Sequence, residues 1–379
     1  MAKKDSQKTM FEHSEVKVKL LQTYLKRYFN ILNNSKFIGD IYYFDLFSAE
    51  GIYENGGKGS PIIVLESIKN AYYTSKQKNG NSGKFHSLFN DIDNEKILTL
   101  QKNVKKLNLH YPEFGQINFS TKDYQNLVPE VSKKINELNK KEKAFVFIDP
   151  YGYKEVRISD IKSLLKKGNS EVLLFLPTHF MFRFIEGGTP ESLYEFIEEI
   201  VPKDEWPKSE TGLEFIENLK YGFKKYLGDS IFVDTFVISR EKNQFFCLFF
   251  FSSHIYGFDR MLDAKWELDE EQGRGWLFNA GIDDLFSIIE KEPNTKKFED
   301  ELRTFLNSGA KNNKEVYEFT LRNGHLPTHA MQILKKWQDN KELVSKTPTA
   351  KDGRKSAFYI SYREYKSSEP IKLIFTLKI

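Results

Sequence analysis

The chain has 379 residues, of which 40% are hydrophobic and 15% aromatic, which is enough apolar material for a large core and excludes a mainly disordered protein. Its formal net charge of +4 permits nucleic-acid binding without requiring it. The single cysteine, Cys247, excludes an internal disulfide. No apolar run is long enough to span a membrane, and residues 1–8 lack the apolar core of a signal peptide. We therefore expect a cytoplasmic protein without membrane contact.

The first part of the chain alternates helical and strand patterns. An amphipathic helix is predicted over 15–32, and Ser60 is predicted to cap the helix that begins at Pro61. Polar residues 74–84 are predicted to form a loop. Predicted strands cover 38–47, 85–89, 116–120, 145–148 and 171–176, and further helices cover 61–72, 95–107, 124–138 and 158–166. This alternation is typical of βαβ units in a parallel sheet.

A helical insertion and a hairpin follow the five predicted strands. The insertion is predicted over residues 187–228, with helices near 187–206 and 211–227. The apolar runs 231–238 and 245–252, joined by a short charged connection, predict an antiparallel hairpin at the edge of the sheet. The fold class is therefore α/β, with a mostly parallel Rossmann-like sheet that ends in an antiparallel hairpin.

A different pattern begins after residue 290. A linker at 291–295 is followed by three predicted helices and two predicted strands, which flank a basic loop at 347–356. The helices cover 298–306, 314–321 and 327–341, and the strands cover 343–346 and 357–362. Three helices followed by a hairpin is the order of a winged helix. The sequence thus predicts two domains, over residues 1–290 and 296–379.

Aspartates stand at the ends of four consecutive predicted strands. Asp45 precedes a glycine-containing loop with Gly51, and Asp91, Asp123 and Asp149 follow the next three strands. An aspartate at one strand end is common. Four of them at one edge of a sheet repel one another and indicate a ligand that needs carboxylates, for example a ribose diol at Asp91.

The motif Asp149-Pro150-Tyr151 has a direct chemical use. A carboxylate and a proline carbonyl can accept hydrogen bonds from an exocyclic amine while the tyrosine stacks on the base, so that the nitrogen lone pair faces a methyl donor. The simpler interpretation is a proline turn that ends the strand, with Tyr151 in the core. The residues alone leave both interpretations open.

Several motifs resemble the three-Cys-motif partner (TcmP) proteins of bacteria and phage, which are similar to class I S-adenosylmethionine-dependent methyltransferases. The resemblance runs from His13 to about Gly275, and the chain departs from the family's Ala-Gly-Pro-Gly at Ser48-Ala49-Glu50-Gly51. The motifs are Asp45–Gly51, Gly59-Ser60-Pro61, Asn90-Asp91-Ile92-Asp93, Phe147–Lys154 and Lys265–Asp269.

The resemblance implies a cofactor, S-adenosylmethionine, and assigns residues to it. Asp45 and Gly51 would contact its methionine end, Asp91 its ribose, and Asp123 and Tyr124 its adenine. Phe47 and Ile92 would also bind it, while His13 and Lys17 would close over it. Asp149, Pro150 and Tyr151 would form the catalytic pocket. Arg183 would hold a phosphate of the substrate, and no metal ligand is implied.

The expected function is methylation of nucleic acid at a base nitrogen, together with a three-Cys-motif partner protein. Lys346, Lys351, Arg354 and Lys355 of the winged helix would supply phosphate contacts. An alternative, suggested by Ala49 and Glu50, is a degenerate methyltransferase fold that binds nucleic acid or a partner protein in phage defence or DNA repair. A metal-dependent nuclease is disfavoured because successive strand ends lie about 4.8 Å apart or more, which spreads the carboxylates.

Overall fold

The structure is a computed structural model that describes residues 10, 12–79, 83–187, 191–200, 208–241, 244–276 and 292–378. The described residues form two compact units. One contains the residues up to His254 and the short strand Gly275–Trp276, and the other contains Ile255–Arg274 and the residues from 292 onward. Residues 1–8, which lack a signal-peptide core, and the start of the expected linker at 291 lie outside the described residues.

A mixed sheet forms the first unit. Among the described residues its strands are β1 (Ile41–Asp45), β2 (Phe85–Asn90), β3 (Ile117–Ser120), β4 (Lys143–Ile148), β5 (Ser170–Leu176), β6 (Phe232–Glu241), β7 (Gln244–Ser252) and β8 (Gly275–Trp276). Their order is β3-β2-β1-β4-β5-β7-β6-β8. Strands β1 to β5 are parallel, β7 runs against both β5 and β6, and β8 is parallel to β6. The predicted Rossmann-like sheet with its antiparallel hairpin is confirmed.

Helices cover both faces of this sheet. They are α1 (Glu12–Asn33), α2 (Ser60–Asn79), α3 (Asn94–Lys106), α4 (Tyr124–Glu137), α5 (Ile158–Leu165), α6 (Thr178–Gly187), α7 (Glu191–Glu198) and α8 (Gly212–Leu227). Every residue of β5 is buried, as are the five residues after Lys143 in β4, which is why these strands read as continuous apolar runs. Helices α7 and α8 belong to the predicted insertion, of which 188–190 and 201–207 are outside the described part.

Two local predictions in this unit are wrong, and one helix was not predicted. Residues 74–79 continue α2 instead of forming a loop, because Ala71 and Ser75 pack against α1 and both hydrogen-bond to Asn33. Ser60 lies inside α2, and its hydroxyl donates to Asp45 instead of capping the helix. Helix α6, which follows β5 directly, was not predicted.

The second unit begins with α9 (Ile255–Leu268), which was also not predicted. It continues with α10 (Lys296–Asn307), β9 (Lys311–Asn312), α11 (Asn313–Arg322), α12 (Pro327–Asp339), β10 (Leu343–Lys346), α13 (Tyr362–Lys366) and β11 (Ile374–Leu377). The order of three helices and antiparallel strands confirms the predicted winged helix. Trp337 is completely buried and therefore belongs to the core of this unit.

The prediction of the second wing strand is wrong. Residues 357–362 were expected to pair with β10, but β10 pairs with β11 instead. Ser356 and Tyr359 have φ angles of 59° and 56°, which are incompatible with an extended strand. Phe358 and Ile360 are nevertheless buried, so their apolar pattern reflects anchoring of a loop to the core.

Candidate active site

The carboxyl ends of β1 to β4 meet at one edge of the sheet. Asp45 is the last residue of β1 and pairs in register with Phe147 of β4, while Asp91 and Asp149 each follow the last residue of their strand. Asp123 lies three residues beyond β3 and caps α4. The four predicted aspartates therefore follow neighbouring strands, as expected from the parallel topology.

Asp45 is completely buried below this edge. Its carboxylate accepts a hydrogen bond from the Ser60 hydroxyl at 2.7 Å and one from the Phe47 backbone N–H at 3.4 Å. Burial, with a further contribution from the negative charge of Asp149, raises the pKa of Asp45 to about 7. Asp45 does not line the neighbouring cavity, so its role here is to anchor α2 under the loop.

Asp91 fixes the loop that follows β1. One carboxylate oxygen accepts from the backbone N–H of Ala49 at 3.1 Å, and the other accepts from the backbone N–H of Asp93 at 2.9 Å. Ala49 has a φ of 50°, a left-handed conformation that glycine adopts more easily. Each carboxylate oxygen accepts one of these bonds and keeps further acceptor capacity, which suits a vicinal diol.

Gly51 is required by the packing of the same loop. Its φ is 78°, and a Cβ at this position would lie 2.7 Å from Leu100 Cδ1 and 3.2 Å from Ile62. We expect Gly51→Ala to lower the free energy of unfolding by roughly 2–4 kcal/mol, because left-handed strain adds to overpacking. Gly56→Ala is the matched control, since Gly56 has a φ of 82° with no atom near the added Cβ. Equal losses in urea unfolding would contradict this account.

Asp149 forms a mostly buried ion pair with Lys17 of α1. The side chains are 19% and 8% exposed, and the Lys17 ammonium also lies 4.4 Å from the centre of the Phe175 ring. Burial is the largest influence and would lower the pKa of Lys17, but Asp149, Tyr53 and Asp45 together outweigh it and leave that pKa above its usual value. Lys17 is therefore a cation that compensates the negative charge of Asp149.

Tyr151 stands at the rim with a fixed orientation. Its side chain is 52% exposed, which rules out the interpretation that Tyr151 belongs to the core. Lys96 of α3 donates a hydrogen bond to its hydroxyl at 2.6 Å and lies 4.9 Å from the ring centre. Sequence reasoning missed Lys96, because only the fold brings α3 beside the end of β4. Pro150, between Asp149 and Tyr151, is buried.

A cavity of about 330 Å³ joins the loop after β1 to the end of β4. Phe47, Gly51, Lys17, Arg183 and the Asp149-Pro150-Tyr151 motif line it, together with Glu50. Phe175, Phe180 and Phe246, which were not predicted as site residues, supply much of its apolar wall. The cavity thus unites the predicted catalytic motif with part of the predicted cofactor loop.

The predicted adenine contacts lie beside this cavity. Asp123 is exposed and accepts from the Gln125 backbone N–H at 2.9 Å, while the Tyr124 ring is buried and stacks on Phe47 at 5.2 Å. Ile92 is 67% exposed directly after Asp91. Asp91, Ile92, Asp123 and Tyr124 are not among the described residues that line the cavity. The side chain of His13, in the first turn of α1, lies outside the described part.

These residues fit S-adenosylmethionine. The loop from Phe47 to Gly51 lines the cavity, Asp91 has acceptor capacity for a ribose, and Ile92 offers exposed apolar surface beside it. Asp91 would hold the ribose, and the loop from Phe47 to Gly51 would receive the methionine end. Glu50 also lines the cavity, where its negative charge would oppose the carboxylate of the cofactor.

The predicted phosphate-binding residues are all exposed, but they belong to different units. Arg183 lies on α6 of the first unit, whereas Lys346, Lys351, Arg354 and Lys355 lie in and beside the wing. Lys355 pairs with Asp339 at 2.9 Å, which reduces its availability. In the resembling motif Lys265–Asp269, Lys265 is buried and the Trp266 indole donates to the Gly324 carbonyl at 2.9 Å, which is a structural role within the second unit.

Comparison with known proteins supports the winged helix directly. Residues 268–350 match the family described as the GMT-like wHTH domain. No curated protein matches the sequence significantly. The match covers a minor part of the chain, so it identifies the second unit's domain type and not the whole protein.

Solved methyltransferases are among the structures similar to this chain. A candidate rRNA methylase from Clostridium thermocellum has 13% identity, covers 60% of this chain and 94% of its own, and gives a TM-score of 0.28. An O-methyltransferase from Bacillus cereus in complex with SAH has 12% identity, covers 66% and 92%, and gives a TM-score of 0.33. Similarity at this level does not extend to function.

The described residues contain neither a candidate membrane-spanning helix nor a candidate metal site. None of their helices is both long and apolar enough to cross a membrane. They also contain no cluster of three or more His, Cys, Asp or Glu side chains arranged to hold a metal ion.

Stability should depend on pH through two buried acids. Burial raises the pKa of Asp45 from 3.8 and that of Glu171 from 4.5, each to about 7; Glu171 accepts from Tyr24 and Ser252. Because each folded-state pKa exceeds the unfolded one, the contribution is complete below about pH 4 and is lost as pH rises through about 7. A difference of one between the folded-state and unfolded-state pKa of an acid corresponds to about 1.4 kcal/mol of stability.

We therefore expect Asp45→Asn combined with Glu171→Gln to flatten the dependence of unfolding free energy on pH between about 4 and 7. Urea unfolding at several pH values measures this. A slope as steep as that of the unmodified protein would contradict the assignment.

Proposed function

We propose that this protein is an S-adenosylmethionine-dependent methyltransferase that acts on nucleic acid at a base nitrogen. The observation that carries the proposal is the Asp149-Pro150-Tyr151 motif, whose carboxylate, buried proline and exposed aromatic ring share one cavity with the loop at Gly51. Asp149 then accepts a hydrogen bond from the target amine, and Tyr151 stacks on the base.

Positioning is the main task of these residues. When bound, S-adenosylmethionine supplies an electrophilic methyl group on a sulfonium sulfur. Asp149 would orient the amine so that its lone pair could form the new N–C bond as the S–C bond of the bound cofactor breaks. The methylated nitrogen would then lose one proton to Asp149 or to water. Lys17 compensates the charge of Asp149 through their ion pair. The aromatic walls limit access of water.

The winged helix supplies a second contact with nucleic acid in this proposal. Lys346, Lys351 and Arg354 are exposed around the wing, and such residues bind phosphates without reading sequence. The sequence motifs support membership of the TcmP family and action together with a three-Cys-motif partner protein, and the single cysteine supports a cytoplasmic location. The sequence pattern supports domains at 1–290 and 296–379, although residues 255–274 group with the second unit.

A methyl-transfer assay tests the proposal. The complete chain is incubated with methyl-labelled S-adenosylmethionine and bacterial RNA or DNA, and the nucleic acid is digested to nucleosides. We expect the label in a nucleoside methylated at nitrogen. Absence of label from nucleic acid, with the partner protein present as well as absent, would contradict the proposal.

A second candidate is a binding module with a degenerate cofactor site. The observation that favours it is Glu50, whose carboxylate would face the methionine carboxylate, next to the strained Ala49. This candidate predicts that Asp149→Ala leaves biological function intact. Loss of function by a folded Asp149→Ala protein that still binds its partners would exclude it.

A further inference from the structure

Helix α6 presents an aromatic ring and a cation at the mouth of the cavity. Phe180 is 46% exposed, and Arg183, three residues later on the same face of the helix, is also exposed. Both side chains line the cavity that contains Asp149. The Phe180 ring contacts the His179 ring, with ring centres 3.8 Å apart. Because 46% of Phe180 is exposed, part of its ring remains accessible to a ligand.

The rings around this mouth suit a planar ligand. Tyr151 also lines the cavity and is half exposed, and Lys96 fixes its orientation. Further inside, Phe175 and Phe246 stack on each other with ring centres 5.6 Å apart. Exposed aromatic rings at a cavity lose unfavourable contact with water when a flat ring covers them, and base stacking on such rings is worth about 1–3 kcal/mol.

Arg183 indicates that the ligand also carries a negative charge. Among the described residues it forms no ion pair, although it lies at the rim of a cavity with Asp149 and Glu50 further in. Lys17 compensates the charge of Asp149, but Glu50 has no such partner among the described residues and disfavours an anion beside it. An anionic group would therefore stay at the rim beside Arg183. The planar guanidinium matches phosphate oxygens in a bidentate manner.

We propose that α6 forms a nucleotide clamp at the mouth of the cavity. In this clamp, Phe180 stacks on the substrate base and Arg183 binds an adjacent backbone phosphate. The proposal deepens the proposed function and rests on it, because Asp149 is taken as the acceptor of the base amine. The Asp149 side chain is 19% exposed and lies behind the rim, so a base stacked inside a duplex cannot reach it. The substrate is therefore a nucleotide in a single strand or one extruded from a duplex.

Fluorescence of 2-aminopurine tests the stacking half of the clamp. The complete chain, without cofactor, is titrated with a single-stranded oligonucleotide that contains this base. The emission of the base reports whether it stacks on a ring, even if other parts of the strand contact the protein elsewhere. We expect Phe180→Ala to remove most of the change in emission and to weaken binding by about 5- to 150-fold. Tyr221→Ala is the control, because Tyr221 is 67% exposed on α8 and does not line the cavity. An unchanged signal in Phe180→Ala would overturn the proposal.

Salt dependence tests the phosphate half. For single strands, the slope of log affinity against log salt is about −0.7 per neutralised phosphate, so Arg183→Gln should reduce its magnitude by about 0.7. Lys26→Gln, at an exposed position of α1, should leave the slope unchanged. An unchanged slope in Arg183→Gln would overturn the phosphate contact.

These binding tests are separable from the proposed function. If the oligonucleotide behaves as expected but no methyl group is ever transferred, the clamp stands and the methyltransferase proposal fails. If methyl transfer occurs while both variants bind like the unmodified protein, the clamp fails and the methyltransferase proposal stands.

Discussion

Replacing Asp149 by alanine is expected to slow methyl transfer by about 10²- to 10³-fold, the loss typical of removing one preorganised hydrogen-bonding group from an active site. Asp149 is the carboxylate at the end of β4 that faces the cavity, and alanine cannot orient an amine. The measurement is the initial rate of methyl incorporation at saturating nucleic acid, with cofactor affinity determined in parallel.

The control must separate chemistry from folding. Asp149→Ala leaves the buried Lys17 ammonium without its counter-charge and so lowers stability. Adding Lys17→Met removes both charges and should restore much of the stability without restoring the rate. A rate within about threefold of the unmodified enzyme in Asp149→Ala would contradict the assigned role.

Lys17→Met alone is expected to lower the free energy of unfolding by roughly 3 kcal/mol. Breaking a buried ion pair costs about 3–5 kcal/mol, and the lower end applies because Asp149 keeps 19% exposure. The substitution leaves the Asp149 carboxylate uncompensated close to Asp45. Urea unfolding measures the loss.

An exposed pair provides the comparison for Lys17. Lys58 and Glu66 pair at 2.7 Å with side chains 51% and 29% exposed, so Lys58→Met should cost at most about 1 kcal/mol. A double-mutant cycle between Lys17→Met and Asp149→Ala should give a large coupling energy. Equal effects of Lys17→Met and Lys58→Met, or a coupling near zero, would contradict the role of Lys17.

The sequence predicts the sheet well because its signals are local. Apolar runs such as 145–148 and 171–176 mark buried parallel strands. The aspartates at the ends of the first four strands must then lie at the same edge. The winged helix is likewise indicated by three amphipathic helices in succession. These features depend on residues close together in the chain.

The missed features depend on contacts between distant residues or on backbone conformation. The ion pair of Lys17 with Asp149 joins residues 132 positions apart, so only the packing of α1 on the sheet reveals it. Helix α6 escaped prediction because its start, Pro177-Thr178, resembles the end of a strand. The wing strand was misplaced because a pattern of apolar residues does not reveal the positive φ angles at Ser356 and Tyr359.

Calorimetric titration with S-adenosylmethionine tests the central claim most directly. We expect one binding site in the unmodified protein and affinity at least about tenfold lower in Asp91→Ala, because hydrogen bonds to a charged group are worth about 1.5–3 kcal/mol. Asp93→Ala is the matched control: Asp93 caps α3 two residues away, so its loss should lower stability but not affinity. No binding at millimolar cofactor, or equal affinity in Asp91→Ala and the unmodified protein, would contradict the account.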